Sequence, residues 1–178
     1  MYFVDAAHFV LAPFLGYLWT KVRHFIRAPA GRKRFNVLGA INAVTHELVT
    51  VTNDSYINAQ SVCELLLKIS AAHAATPITL VLDNARYQKC KIVWNLAESL
   101  NIELLYLPSY SPNLNLIERL WKFVKKKVLY NKYYADFDSF SGAIAGCLAQ
   151  THTEHKEALD SLLTLRFQTL QEPQNMAA

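Results

Sequence analysis

Residues 78–122 read ITLVLDNARYQKCKIVWNLAESLNIELLYLPSYSPNLNLIERLWK. An apolar run, Ile78 to Leu82, stops at Asp83-Asn84, and a second, Ile102 to Leu107, stops at Pro108. Between them Val93, Leu96, Ala97 and Leu100 recur at helical spacing. That order is strand, helix, strand, and a crossover of this kind joins parallel strands with a right-handed sense. Pro-Ser-Tyr-Ser-Pro-Asn at 108–113 makes a turn, and a helix is expected from Pro112, with Ser111 as its cap. Ile117, Leu120, Trp121, Val124 and Val128 are spaced for one buried face of that helix, and Glu118, Lys122 and Lys125 fall together beside it. Asp83 stands where a strand ends, which is the edge of an open α/β sheet that faces ligands. Glu118 follows after 34 intervening residues, about two turns into the expected helix. Taken alone, Glu118 and Lys122 would also make an ordinary solvated i,i+4 pair.

Outward from this unit, residues 2–9, YFVDAAHF, read as a strand interrupted by Asp5. An acid inside a central strand is costly unless it is paired or metal-bound, although an edge position would also tolerate it. Residues 35–44 and about 47–53 read as two strands joined by a tight turn at Thr45-His46, hence antiparallel. Between the first strand and this pair, residues 10–34 show no clear period, and Trp19 is expected to anchor that stretch. Asn58 caps a helix to His73, with Val62, Leu65, Leu66 and Ile69 as its apolar stripe. The sum is an α/β chain with a mixed five-stranded sheet flanked by helices. Helices are also expected at 136–151, capped by Asp136 or Asp138, and at 154–170, before a frayed tail at 171–178. His152 and His155 have no third ligand nearby in sequence and are expected to face solvent. His8 falls on the strand face opposite Asp5 and is given no role.

The 178 residues suit one domain with a proper core, and 52% apolar with 18% charged residues marks a globular chain. No apolar run reaches the length of a membrane span, and the N-terminus lacks the basic leader of a signal peptide. Cys63, Cys90 and Cys147 show neither metal spacing nor a disulfide framework, and read as small buried residues. The net charge is only +4, but 12 of the 18 cations lie in two acid-free stretches. Residues 6–46 hold Lys21, Arg23, Arg27, Arg32, Lys33 and Arg34; residues 119–135 hold Arg119, Lys122, Lys125, Lys126, Lys127 and Lys132. Cations ringing an acidic centre suit a polyanion such as DNA, because phosphate neutralisation supplies its sequence-independent affinity. Two solvated basic faces would give the same counts.

LVLDNARYQK at 80–89 and LPSYSPNLNLIERLWKFVKKKV at 107–128, with YFVDAAHF at 2–9, resemble the catalytic domain of DDE transposases. The likeness is greatest to the bacterial insertion-sequence group numbered 630, relatives of the mariner elements, and covers roughly residues 1–130. It implies a ribonuclease-H-like fold in which the first and fourth strands are neighbours, setting Asp5 beside Asp83. It implies a catalytic domain over 1–170 that cuts DNA and transfers strands in cut-and-paste transposition. Asp5, Asp83 and Glu118 would be the catalytic and metal-binding trio, with Asp5 bridging two Mg²⁺ ions, for which Mn²⁺ can substitute. Three carboxylates placed together repel, which makes the trio hard to justify without a cation between them. Mg²⁺ prefers such oxygen ligands and keeps phosphate and water in its remaining positions.

Arg119, Lys122, Lys125, Arg32, Lys33 and Arg34 are candidate contacts to the DNA backbone. Asn84 and Asn115 are placed to orient carboxylates or bind phosphate, and a turn or cap role suits them equally. The resemblance further implies transposon ends and target DNA as partners, a homodimer to handle two ends, and a cytoplasmic, nucleoid-associated bacterial setting. The family usually begins with helix-turn-helix modules, whereas this sequence starts almost at the first catalytic strand. It is therefore expected to be a split-frame product, a fragment or a decayed copy, with recognition of ends supplied elsewhere. Leu116 stands where the family often has proline, and Gln88 where a histidine is common. A catalytically silent DNA-binding remnant is the alternative reading, and an unrelated ribonuclease-H-like nuclease is a third.

Overall fold

The computed structural model describes residues 1–12, 21–22, 33–73, 76–109 and 111–167. In chain order they form β1 (Tyr2–Val10), β2 (Arg34–Asn42), β3 (Leu48–Asn53), α1 (Ala59–Ala72), β4 (Ile78–Leu82), α2 (Lys91–Ser99), β5 (Ile102–Tyr106), α3 (Ile117–Val124), α4 (Phe137–Ala149) and α5 (Lys156–Leu162). The strands make one sheet in the order β3-β2-β1-β4-β5. The pairs β1–β2 and β2–β3 are antiparallel, and β1–β4 and β4–β5 are parallel. The mixed five-stranded sheet is present, with the first strand beside the fourth.

Alternation along the strands feeds two apolar layers, because successive side chains leave opposite faces. Phe3, Ala7, Phe9 and Val81 join the layer built with α3 and α4. Tyr2, Val4, Leu80 and Leu82 join the layer built with α1 and α2. Helices on both faces explain why β4 is apolar except at Thr79. Asn58 and Ser61 close a reciprocal capping box at the start of α1, whose Val62, Leu65, Leu66 and Ile69 are buried. Asp136 caps α4 by accepting from the Ser139 N–H.

Three stretches depart from the sequence expectations. No single helix starts at Pro112. Pro112–Leu114 is an isolated 3₁₀ turn, α3 begins at Ile117, and Glu118 sits in its first turn rather than its second. Ser111 serves that 3₁₀ turn, its carbonyl accepting from the Leu114 N–H at 3.0 Å. The chain then bends because the Asn115 side chain reaches into the sheet, donating to the Val4 carbonyl at 3.0 Å.

The second departure follows α3. Residues Lys125–Leu129 widen into a π turn, which lets the adjacent Val128 and Leu129 both enter the core. The third is the last helix, which ends at Leu162, so residues 163–167 run on without helical structure. His152 is exposed as expected, but His155 is buried, its ring set edge-on to Phe123 at 5.3 Å. Trp19, Arg32 and the tail at 171–178 lie outside the described residues. No described helix is long and apolar enough to cross a membrane.

Candidate active site

The parallel pairing of β1 with β4 is short. Tyr2 faces Leu80 and Phe3 faces Val81, and there the ladder stops. Continued, the same register would set Asp5 beside Asp83. The strands part just before that point, and the gap becomes a cleft lined by Asp5, Asp83, Asn84, Pro108, Asn115 and Glu118, among others. Asp83 accepts from the Ala85 N–H at 3.2 Å, which turns the chain away from the sheet. Asn84 donates its amide to the Leu107 carbonyl, tying the ends of β4 and β5 together. That tie between strand ends is a role outside those expected for Asn84.

Glu118 reaches the cleft because α3 lies close against β1 and β2. Gly39 stands opposite Asp5 in the β1–β2 register. A β-carbon there would sit 2.8 Å from Trp121 Cη2 and 2.9 Å from Ile117 Cδ1. Only glycine leaves room for the helix at that depth. Two side chains then fasten it. Asn115 holds the Val4 carbonyl, and the Trp121 indole N–H donates to Asp5 Oδ2 at 3.0 Å. Asn115 stands three residues before Glu118, ahead of the helix, and Trp121 three residues after it, one helical turn on. Trp121 is 2% exposed, and its spacing in the sequence marks only a packing role. Its N–H donor beside a suspected acid was the available signal.

Burial pushes the Asp5 carboxyl from 3.8 up to about 7; the charges of Glu118 and Asp83 add to this, while the Ala6 N–H and the Trp121 indole oppose it. Tyr87 is affected by the same acids: burial, then Asp83 and Asp5, raise its hydroxyl above the usual phenol range. All three acids therefore share one electrostatic environment. Among the described residues, however, no three of His, Cys, Asp and Glu already stand in ligating geometry about one point. The amide oxygen of Asn115 is buried without a hydrogen-bond partner, as are both polar atoms of the Gln88 side chain.

The cationic candidates are dispersed. Lys122 lines a groove beside the cleft and forms no ion pair with Glu118. Arg119 is committed within the chain. Its guanidinium donates to the carbonyls of Leu162, Thr164 and Arg166 at 3.1, 2.6 and 2.7 Å, and lies 5.5 Å over the Phe167 ring. Lys125 opens the π turn. Lys33 lies over Phe137, 5.5 Å from the ring centre, and with Arg34 lines a separate pocket. Arg34 pairs with Val10, so it stands five residues along β1 from Asp5, on the order of 17 Å away.

The sequence profile described as DDE superfamily endonuclease matches residues 1–141. The insertion element IS630 uncharacterized 39 kDa protein of Shigella sonnei is 29% identical over 105 residues, which is 58% of this chain and 30% of that protein. An uncharacterized protein of Sinorhizobium fredii, y4pE/y4sA, is 42% identical over 38 residues, 21% of this chain and 28% of that one. Among solved structures, the Mos1 transposase paired-end complex with left transposon end superposes with a TM-score of 0.62 at 13% identity, over 93% of this chain and 56% of the Mos1 chain. The Mos1 paired-end complex with Mn gives a TM-score of 0.60 at 14% identity, covering 94% and 56%. The corresponding complex with Mg gives 0.62 at 12% identity, covering 93% and 56%. These likenesses establish the ribonuclease-H-like fold. The chain spans under a third of the two relatives and just over half of the Mos1 chains.

Proposed function

Because the chain belongs to the DDE superfamily endonuclease family, we propose that its cleft cleaves DNA phosphodiesters and transfers the freed 3′ end to another strand, as in cut-and-paste transposition. The observation that carries this reading is the meeting of Asp5, Asp83 and Glu118, from three separate elements, in one cleft where β1 and β4 part. The donor set suits a hard divalent cation, since every candidate ligand is oxygen. The raised Asp5 carboxyl and the unpartnered Asn115 oxygen are what a site built around positive charge leaves exposed to strain without it. Asp5, Asp83 and Glu118 would hold the ions, Mg²⁺ or Mn²⁺. Bound there, such ions stabilise negative charge on the attacking and leaving oxygens of a phosphodiester.

The protein's own part is placement. Trp121 holds one oxygen of Asp5, fixing that carboxylate at the cleft wall. Asn115 fixes the start of α3, and with it Glu118. Lys122 and Lys125, and at greater distance Lys33 and Arg34, would bear on the DNA backbone as point charges. Arg32 keeps the same assignment as a proposal. Arg119 is not among the contacts, because its donors are engaged within the chain. The Mos1 complexes carry a transposon end, Mn or Mg in their descriptions, which supports DNA and a divalent ion here, and their paired-end form supports a homodimer. A helix-turn-helix module, in this chain's own protein or a companion reading frame, would recognise the ends.

A catalytically silent DNA-binding remnant is the second reading. It is favoured by the three acids sharing the cleft without converging on one point. A nicking assay separates the two readings: a labelled duplex bearing candidate terminal repeats, with Mg²⁺ or Mn²⁺, against wild type, Asp83→Asn and Glu118→Gln. Cleavage by wild type alone supports the enzyme. Equal products from all three proteins, or none from any, would sink it.

A further inference from the structure

The groove beside the cleft has a built wall and two unengaged cations. We propose that it seats the sugar-phosphate backbone of the DNA next to the scissile bond, with Lys122 and Arg166 as its phosphate contacts. This deepens the endonuclease reading and rests on it. The groove shares Asn115 and Glu118 with the cleft, so the two are continuous. One side is α3, with Glu118 and Lys122; the other is the end of α5 and the chain after it, with Leu162 and Arg166.

That second side is fastened in place. Arg119 donates to three of its carbonyls, and His46 bonds the Leu163 carbonyl at 3.1 Å and Asp160 at 2.8 Å. Phe167 packs on Phe3 with ring centres 5.8 Å apart. These ties account for the course of residues 164–167, which run on past the last helical hydrogen bond, Leu163 N–H to the Leu159 carbonyl at 2.8 Å. They also separate two kinds of cation. Arg119 commits both terminal guanidinium nitrogens to carbonyl oxygens of this wall. The side chains of Lys122 and Arg166 make no hydrogen bond or ion pair among the described residues, so both charges remain for a partner in solution.

Among the described residues Glu118 is the only acid lining the groove, and it stands at the cleft end. The lining thus runs from acidic at the cleft to basic along its length. A polyanion matches that gradient: its reacting phosphate lies among the carboxylates, and the next phosphates lie beside lysine and arginine. An acidic protein surface would need no connection to the cleft.

The test is fluorescence anisotropy of the full chain with a fluorescein-labelled DNA duplex across a series of salt concentrations. Each phosphate contact carries about 0.9 of the slope of log affinity against log salt, so at about 0.1 M salt its loss costs about eightfold. Lys122→Gln and Arg166→Gln should each weaken binding about eightfold and flatten the slope by about 0.9. Lys122→Arg and Arg166→Lys should stay near wild type, and so should Lys68→Gln, on the opposite layer. Arg119→Gln should accelerate amide hydrogen exchange across residues 163–167. If wild type binds and both glutamine variants keep its slope, the groove assignment fails alone. If wild type binds no duplex at any salt, the DNA reading fails with it. Unchanged exchange in Arg119→Gln would refute the fastened wall.

Discussion

Replacing Asp5 with asparagine should make the metal-free protein more stable at neutral pH. Burial first, then the charges of Glu118 and Asp83, lift the Asp5 carboxyl from 3.8 to about 7 in the folded chain. The folded state thus binds this proton more tightly than the unfolded state. The resulting stability is full below about pH 4 and is lost as pH rises through about 7. Each tenfold change in proton affinity is worth about 1.4 kcal/mol, so the loss approaches about 4 kcal/mol, less whatever relaxation of the cleft recovers. Asparagine is nearly isosteric and carries no charge, and it should recover about 2 to 4 kcal/mol at pH 8 and nothing at pH 4. Urea unfolding in chelator, at a series of pH values, measures both curves. Wild type should fall in stability across the window while Asp5→Asn stays flat, and Mg²⁺ or Mn²⁺ should raise the wild-type midpoint only. Parallel pH profiles, or a variant less stable than wild type at pH 8, would show that ionised Asp5 is not strained in the apo fold.

The helix contacts give further expectations. Gly39→Ala puts a methyl group within 3 Å of Trp121 and Ile117, so it should cost about 1–3 kcal/mol in urea unfolding. It should also reduce nicking more than the lost stability explains, because α3 must rise off the sheet. Trp121→Phe keeps a ring but removes the donor to Asp5. Loss of a hydrogen bond to a charged group predicts about 1.5–3 kcal/mol of destabilisation above pH 7, diminishing as Asp5 protonates, read from unfolding curves at two pH values. Asn58→Ala removes the capping box of α1, remote from the cleft, and should cost about 1 kcal/mol with nicking unchanged.

Much of the fold is legible because its signals are local. Apolar runs ending at Asp83 and Pro108 mark β4 and β5, and Val93 and Ala97 at helical spacing mark the buried side of α2. Asp5 is conspicuous as an acid inside an apolar strand. The features that local sequence does not disclose depend on distant partners. Nothing in the sequence near Pro112 tells a 3₁₀ turn from the start of an α-helix; the Val4 carbonyl, 111 residues away, decides it through Asn115. Arg119 looks like a free cation until residues 162–166, more than 40 positions later, supply its acceptors. His155 reads as polar until Phe123 covers it. Trp121 has the pattern of a packing residue, and its second role appears only once Asp5 is placed across from Gly39.

Beyond the last rung of the β1–β4 ladder, Phe3 against Val81, the three acids of the cleft are held by separate elements. Asp5 lies within a strand and Asp83 directly follows the end of one, whereas the glutamate rides a short helix reached through a span with no strand pairing. Glu118 and Lys122 are one turn apart on that helix, so neither can be displaced without the other. If Lys122 holds the DNA backbone as proposed, the load it bears passes along the same helical turn to the carboxylate, so anchoring of the strand and placement of Glu118 are mechanically one.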